Sequence, residues 1–218
     1  MGFLSTNNFI GLDLGQRQDP TALVAGVRRQ LILRWNPVTL TTPVQARLEI
    51  QHAERFPLGL DYTEVGERVR RLVQKIQASG ERVRLAVDAS GPGMPVIDMM
   101  HKMGLRGLIW PVVLVGRGGR GNSIPDGMAG VSGSCGTTVY TVNKTALFTD
   151  LRVGMEQGKT VLVEGMRGMK ELQEELSRIG TRMTHDGMRV EGATEGHDDL
   201  AVAAALAQWG ARRVHSNW

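Results

Sequence analysis

The sequence predicts one α/β domain in which an antiparallel meander is followed by alternating strands and helices. Three observations carry this expectation. Short apolar strand-like runs occur between residues 9 and 55, with alternation at 47–55, and helical spacing first appears at 63–78. From there strand-like and helix-like stretches alternate, with no repeat and no linker between them. The 218 residues are 41% hydrophobic and 22% charged, which suits one packed domain over 1–218 and excludes wholesale disorder.

Residues 9–14 (FIGLDL) form an apolar run broken by one acid and read as a buried strand. Residues 21–27 and 30–35 read as a hairpin turning at Arg28-Arg29, and 47–55 as a third antiparallel strand. Within 63–78, Val65, Val69, Leu72, Val73 and Ile76 share one helical face, and Gly80 ends the helix. A strand is expected at 82–88, a helix at 95–103 closed by Gly104, and an apolar strand at 105–115. Glycines crowd 116–136 without a usable period, so that stretch reads as a loop. A helix at 143–157, a strand at 160–163 and a helix at 169–179 follow. The chain then reads as a hairpin at 181–191 around Asp186-Gly187 and an alanine-rich helix at 198–209.

Composition narrows the classes further. One cysteine, Cys135, excludes an intramolecular disulfide and a cysteine-based zinc site. The start lacks a signal-peptide pattern and no 18 apolar residues run together, so a cytoplasmic protein without membrane contact is expected. Net charge is +4, and 21 of the 26 basic residues are arginine, a bias that permits a polyanionic partner through bidentate phosphate contacts. Two nucleotide-binding patterns fail on inspection. Gly116, Gly118 and Gly121 match G-x-G-x-x-G, but Asn122, Pro125 and Gly127 deny the helix that a pyrophosphate needs. The stretch 154–160 (GMEQGKT) is one residue short of a P-loop and runs from helix to strand, the wrong direction. No ATPase domain is expected.

Four acids stand out by position. Asp13 interrupts an apolar strand, Asp88 ends one, and Asp198 and Asp199 open an apolar helix just after His197. A buried carboxylate costs several kcal/mol unless a cation or donor meets it. Asp88 has a structural alternative as a turn cap, and Asp198 or Asp199 as a helix N-cap. Asp13 is the hardest to explain structurally, because caps do not occur inside strands. Oxygen donors with at most one histidine suit Mg²⁺ or Mn²⁺, and two such ions about 3.5–4 Å apart are the usual device for phosphodiester hydrolysis. His197 reads equally as a metal ligand or a capping side chain. Arg117 and Arg120 suit phosphate contacts from the glycine-rich loop, with a solvated loop as the alternative. Lys144 opens a helix, where it either approaches the acids or stays at the surface. The Arg68, Arg70, Arg71 run reads as one solvated helix face.

A meander followed by α/β units with this order of carboxylates is the ribonuclease H-like architecture, a mixed central β-sheet flanked by helices. The stretches FIGLDLGQRQDPTALVAG, ERFPLGLDYTEVGERVRRLV, RLAVDASGPGMPVIDMM, VNKTALFTDLRVGMEQGKTVLV and GHDDLAVAAALA resemble, in order, the nuclease domain of phage large terminase subunits. The pair VDASGPG and GHDDLAVAAALA is the more specific part. The resemblance implies a metal-dependent endonuclease that cuts concatemeric viral DNA for packaging. It implies metal ligands at Asp13, Asp88 and Asp198 or Asp199, and double-stranded DNA as substrate. A separate packaging ATPase, a small terminase subunit and a portal would be partners, in the cytoplasm of a bacterial host. A Holliday-junction resolvase, a packaging component that binds without cutting, and an actin-like ATP-binding domain are the alternatives.

Overall fold

The strand-like runs of the first 55 residues become three long antiparallel strands in the computed structural model: β1 (Phe3–Asp13), β2 (Ala22–Ile32) and β3 (Val44–Arg55). The structure describes residues 3–15, 19–32, 35, 37–38, 40–91, 93–116, 131–132, 138–184, 187–191 and 198–213, with backbone alone at 3–6, 131–132, 180–184 and 187–191. Helix α1 (Tyr62–Ala78) follows, its first turn capped by the Asp61 carboxylate, which accepts the Glu64 N–H at 2.8 Å. Strand β4 (Arg82–Asp88) then returns parallel to β1. Next come α2 (Gly93–Met100), a π-helical turn at His101–Leu105, and β5 (Ile109–Val115). Beyond them lie β6 (Val131–Ser132), β7 (Thr138–Asn143), α3 (Lys144–Glu156), β8 (Thr160–Arg167) and α4 (Met169–Arg178). A two-stranded hairpin of β9 (Gly180–Thr184) and β10 (Gly187–Glu191) precedes α5 (Asp199–Arg213).

The eight main strands form one mixed sheet in the order β6-β7-β5-β4-β1-β2-β3-β8. Alternating side chains of β1 separate two cores. Phe9, with Val24, Leu48 and Ile50, packs under Leu200, Val202 and Leu206 of α5. Ile10 and Leu12, with Leu85, pack against Val65, Val69, Ile97 and Met100 of α1 and α2. Helix α5 is buried on every side from Asp199 to Ala211, which is why it reads as alanine-rich rather than amphipathic. It rests on β1 where Gly11 leaves room: a Cβ there would stand 1.8 Å from the Ala203 carbonyl oxygen. Among the described residues no helix is long and apolar enough to cross a membrane.

Several expectations change. Residues 28 and 29 do not turn: β2 runs through them, because Arg28 is enclosed between Asn7 of β1 and Leu48 of β3 and the ladder continues on both sides. The hairpin lies instead between Ile32 and Val44. Strand β1 starts six residues before the expected 9, β8 extends past 163 to Arg167, and β5 starts at Ile109 because the π-helical turn takes up His101–Leu105. Strands β6 and β7 were not expected. Gly158, at φ 65°, carries the chain from α3 into β8, the helix-to-strand direction that rules out a P-loop.

Candidate metal centre

The strand register brings the first two acids together. Leu12 pairs with Val87 in the parallel β1–β4 ladder, so Asp13 and Asp88 are the next residues of adjacent strands, at their C-terminal ends. The same row continues through Ala22 of β2 to Arg55 of β3. Asp88 also caps its turn, accepting the Ser90 N–H at 2.8 Å with Oδ1. The turn-cap reading of that residue therefore holds, and it leaves the second carboxylate oxygen to other partners.

The other two acids come down on this row from above. Helix α5 lies over β1 with its N-terminal end at the Asp13 end, because Gly11 meets Ala203 and Ala207 while Phe9, two residues earlier, meets Gly210. Asp199, its first residue, is 8% exposed. Asp198 precedes it and accepts the Val202 N–H with its backbone carbonyl at 2.8 Å, so it occupies the cap position. Lys144, the first residue of α3, places Nζ 2.8 Å from the Asp198 Oδ2. Sequence reasoning missed Glu175, which reaches the same helix end from α4 and accepts the Ala201 N–H at 2.9 Å with Oε2. Its signal was present: Glu175 follows Leu172 by three residues and so falls on the buried face of an amphipathic helix.

The charges converge on Asp13. Burial raises its carboxyl well above the ordinary value of 3.8, and Asp88, Asp199 and Asp198 add to the rise in that order, with Lys144 opposing. Four carboxylates thus face one ammonium. Among the described residues no three acidic, histidine or cysteine side chains are drawn together as a ready metal site. The donor set nevertheless fits a hard divalent cation, being all oxygen, partly buried and in excess of the positive charge present. His197, Arg117 and Arg120 lie outside the described residues. Arg68 and Arg70 pair with Glu64 and Glu67 on their own helix, as a solvated face does.

Lys144 yields a direct prediction. Lys144 occupies an Asp198 oxygen for which a bound cation would have to compete, so Lys144→Ala should lower the melting temperature of the metal-free protein and tighten Mn²⁺ binding. Titration calorimetry checks it, and weaker binding in the variant would show that the lysine does not compete.

No protein-family model matches this chain, and no curated protein matches it. Solved structures do. The large terminase nuclease of the thermophilic phage G20c is 19% identical and superposes with a TM-score of 0.56, over 93% of this chain and 81% of that one. A structure of the same nuclease with bound magnesium matches at 19% identity and a TM-score of 0.55, over 95% and 82%. The nuclease domain of the large terminase subunit of bacterial virus Sf6, solved with manganese, is 10% identical with a TM-score of 0.55, over 93% and 87%. At these identities the likeness is one of fold. The chain has the fold of phage large-terminase nuclease domains, the ribonuclease H-like class expected from its order of elements.

Proposed function

We propose that this chain is a divalent-metal-dependent DNA endonuclease of the large-terminase type, cutting viral DNA for packaging. One observation carries the reading: the end of β4 and the start of α5 bring Asp88, Asp198 and Asp199 close enough to the Asp13 carboxyl, at the end of β1, to raise it. That the G20c and Sf6 nucleases were solved with magnesium and manganese supports the choice of ion. Asp13, Asp88 and Asp199 would hold the ions, with Asp198 beside them and His197 as a further candidate ligand. When bound, a pair of Mg²⁺ or Mn²⁺ ions supplies Lewis-acid stabilisation of the charge that builds on the scissile phosphate. The chain's own residues do the rest. Asp13 stands at the end of β1 beneath the start of α5, Lys144 holds Asp198 to one side, and the buried first turn of α5 limits water around Asp199.

DNA would be gripped through phosphates, by Arg117 and Arg120 on the glycine-rich loop, and so with little sequence preference. Replacing both with alanine should weaken duplex binding and reduce the slope of log affinity against log salt by about two. An unchanged slope would return these arginines to the solvent. The decisive experiment for the whole reading is plasmid nicking with Mn²⁺, with Mg²⁺ and with EDTA. Metal-dependent nicking that EDTA abolishes is expected. Selective cutting of four-way junctions would instead indicate a resolvase, and binding without cutting a packaging component.

A further inference from the structure

Helix N-termini leave their first amide groups without intrahelical partners, and a side chain just before the helix ordinarily meets them. Helix α5 takes a different route. The Ala201 amide, two residues after Asp199, donates to Glu175, a side chain from α4 that lies 26 positions earlier and is 2% exposed. The other oxygen of Glu175 pairs with Arg55, the last residue of β3. Arg55 itself belongs to the row of Asp13 and Ala22, and cross-strand partners leave the sheet on the same side. With strands about 4.8 Å apart, the Arg55 backbone lies roughly 10 Å from that of Asp13. A continuous chain of contacts thus runs from the sheet row of the acids, through Arg55 and Glu175, into the first turn of the helix that bears Asp198 and Asp199.

The choice of residue is informative. A buried carboxylate is a costly cap, and a neutral serine or asparagine before the helix would serve stability alone. What Glu175 adds is a fixed point on another element. Lys144 holds Asp198 from the α3 side and Glu175 holds Ala201 from the α4 side, so the helix start is braced between two partners.

We infer that Glu175 is a positioning residue of the metal centre: it sets where the first turn of α5 sits, and thereby the distance of Asp199 and Asp198 from Asp13 and Asp88. This rests on the metal reading of those four acids. Residues that orient metal ligands typically change affinity by about 10- to 100-fold when lost. Glu175→Ala should therefore weaken Mn²⁺ binding by about tenfold or more in titration calorimetry. It should also speed hydrogen exchange at the first-turn amides of α5 in the metal-free protein. Glu175→Gln keeps an acceptor oxygen and should restore most of the affinity. Leu172→Ala, on the same buried face of α4, should lower the melting temperature while leaving Mn²⁺ affinity near wild type. If Glu175→Ala does not fold, Arg55→Gln loosens the same brace and should show a smaller loss of affinity. Wild-type affinity in Glu175→Ala, or an equal loss in Leu172→Ala, would overturn the inference alone. A wild type that binds no Mn²⁺ would overturn the metal reading, and the inference with it.

Discussion

Asp13→Asn should reduce cleavage by about a thousandfold while raising the melting temperature of the metal-free protein at neutral pH. The first effect follows because the charge stabilisation that a bound cation gives phosphoryl chemistry amounts to several kcal/mol, and each 1.36 kcal/mol is about a factor of ten. The second follows from linkage. Asp13 is raised by burial first and by Asp88, Asp199 and Asp198 after it, so the folded protein keeps a proton that the unfolded chain has already lost. Stability therefore falls as pH climbs from the ordinary carboxylate value through the raised one, and the full deficit remains above it. Asparagine carries no such deficit. The metal-free variant should melt above wild type at pH 7, and the difference should vanish below the ordinary carboxylate range. Mn²⁺ should reverse the order, because binding to the folded state adds stability that the variant cannot gain. Calorimetric melts of both proteins over pH, with and without Mn²⁺, read all three effects. A variant less stable than wild type at pH 7, with neither protein responding to Mn²⁺, would reduce Asp13 to a structural residue.

Gly11→Ala should cost about 3 kcal/mol or more, a large fraction of the stability of a typical domain. The added methyl meets the Ala203 carbonyl oxygen at 1.8 Å and the Ala207 nitrogen at 2.7 Å, both backbone atoms of a buried helix. Neither can rotate away as a side-chain tip would. Helix α5 must lift from β1, opening the core beneath Leu200, Val202 and Leu206. For a chain of this size such a loss lowers the melting temperature by roughly 10 °C. The same displacement carries Asp199 away from Asp13, so the variant should also lose much of its stabilisation by Mn²⁺. A near-normal melting curve would show that the helix does not rest on Gly11.

The local parts of this molecule were legible. An apolar run marked the end of β1, alternation marked β3, and helical spacing marked α1. Asp13 was recognisable because an acid inside an apolar strand has no local use. Errors fell where neighbours outvote local signals. Arg28-Arg29 looks like a break between strands, yet β1 and β3 on either side supply partners for every residue through it. Strand β7 went unseen because it follows a glycine-dense stretch and its pairing with β5 is what makes it a strand.

Residue type and local spacing by themselves determined the α/β class, the oxygen-rich character of the donor set and the four acids worth watching. Only the tertiary structure decided which elements bring the other acids toward Asp13 and what holds them there. The register of Leu12 against Val87 sets Asp13 beside Asp88, across a separation of 75 positions. Lys144 meets Asp198 over 54 positions and Glu175 meets Ala201 over 26. Such pairings leave no period in the chain, because they are chosen when burial brings whole elements together, and a carboxylate on a helix face looks the same in sequence whether it ends in water or beneath another helix.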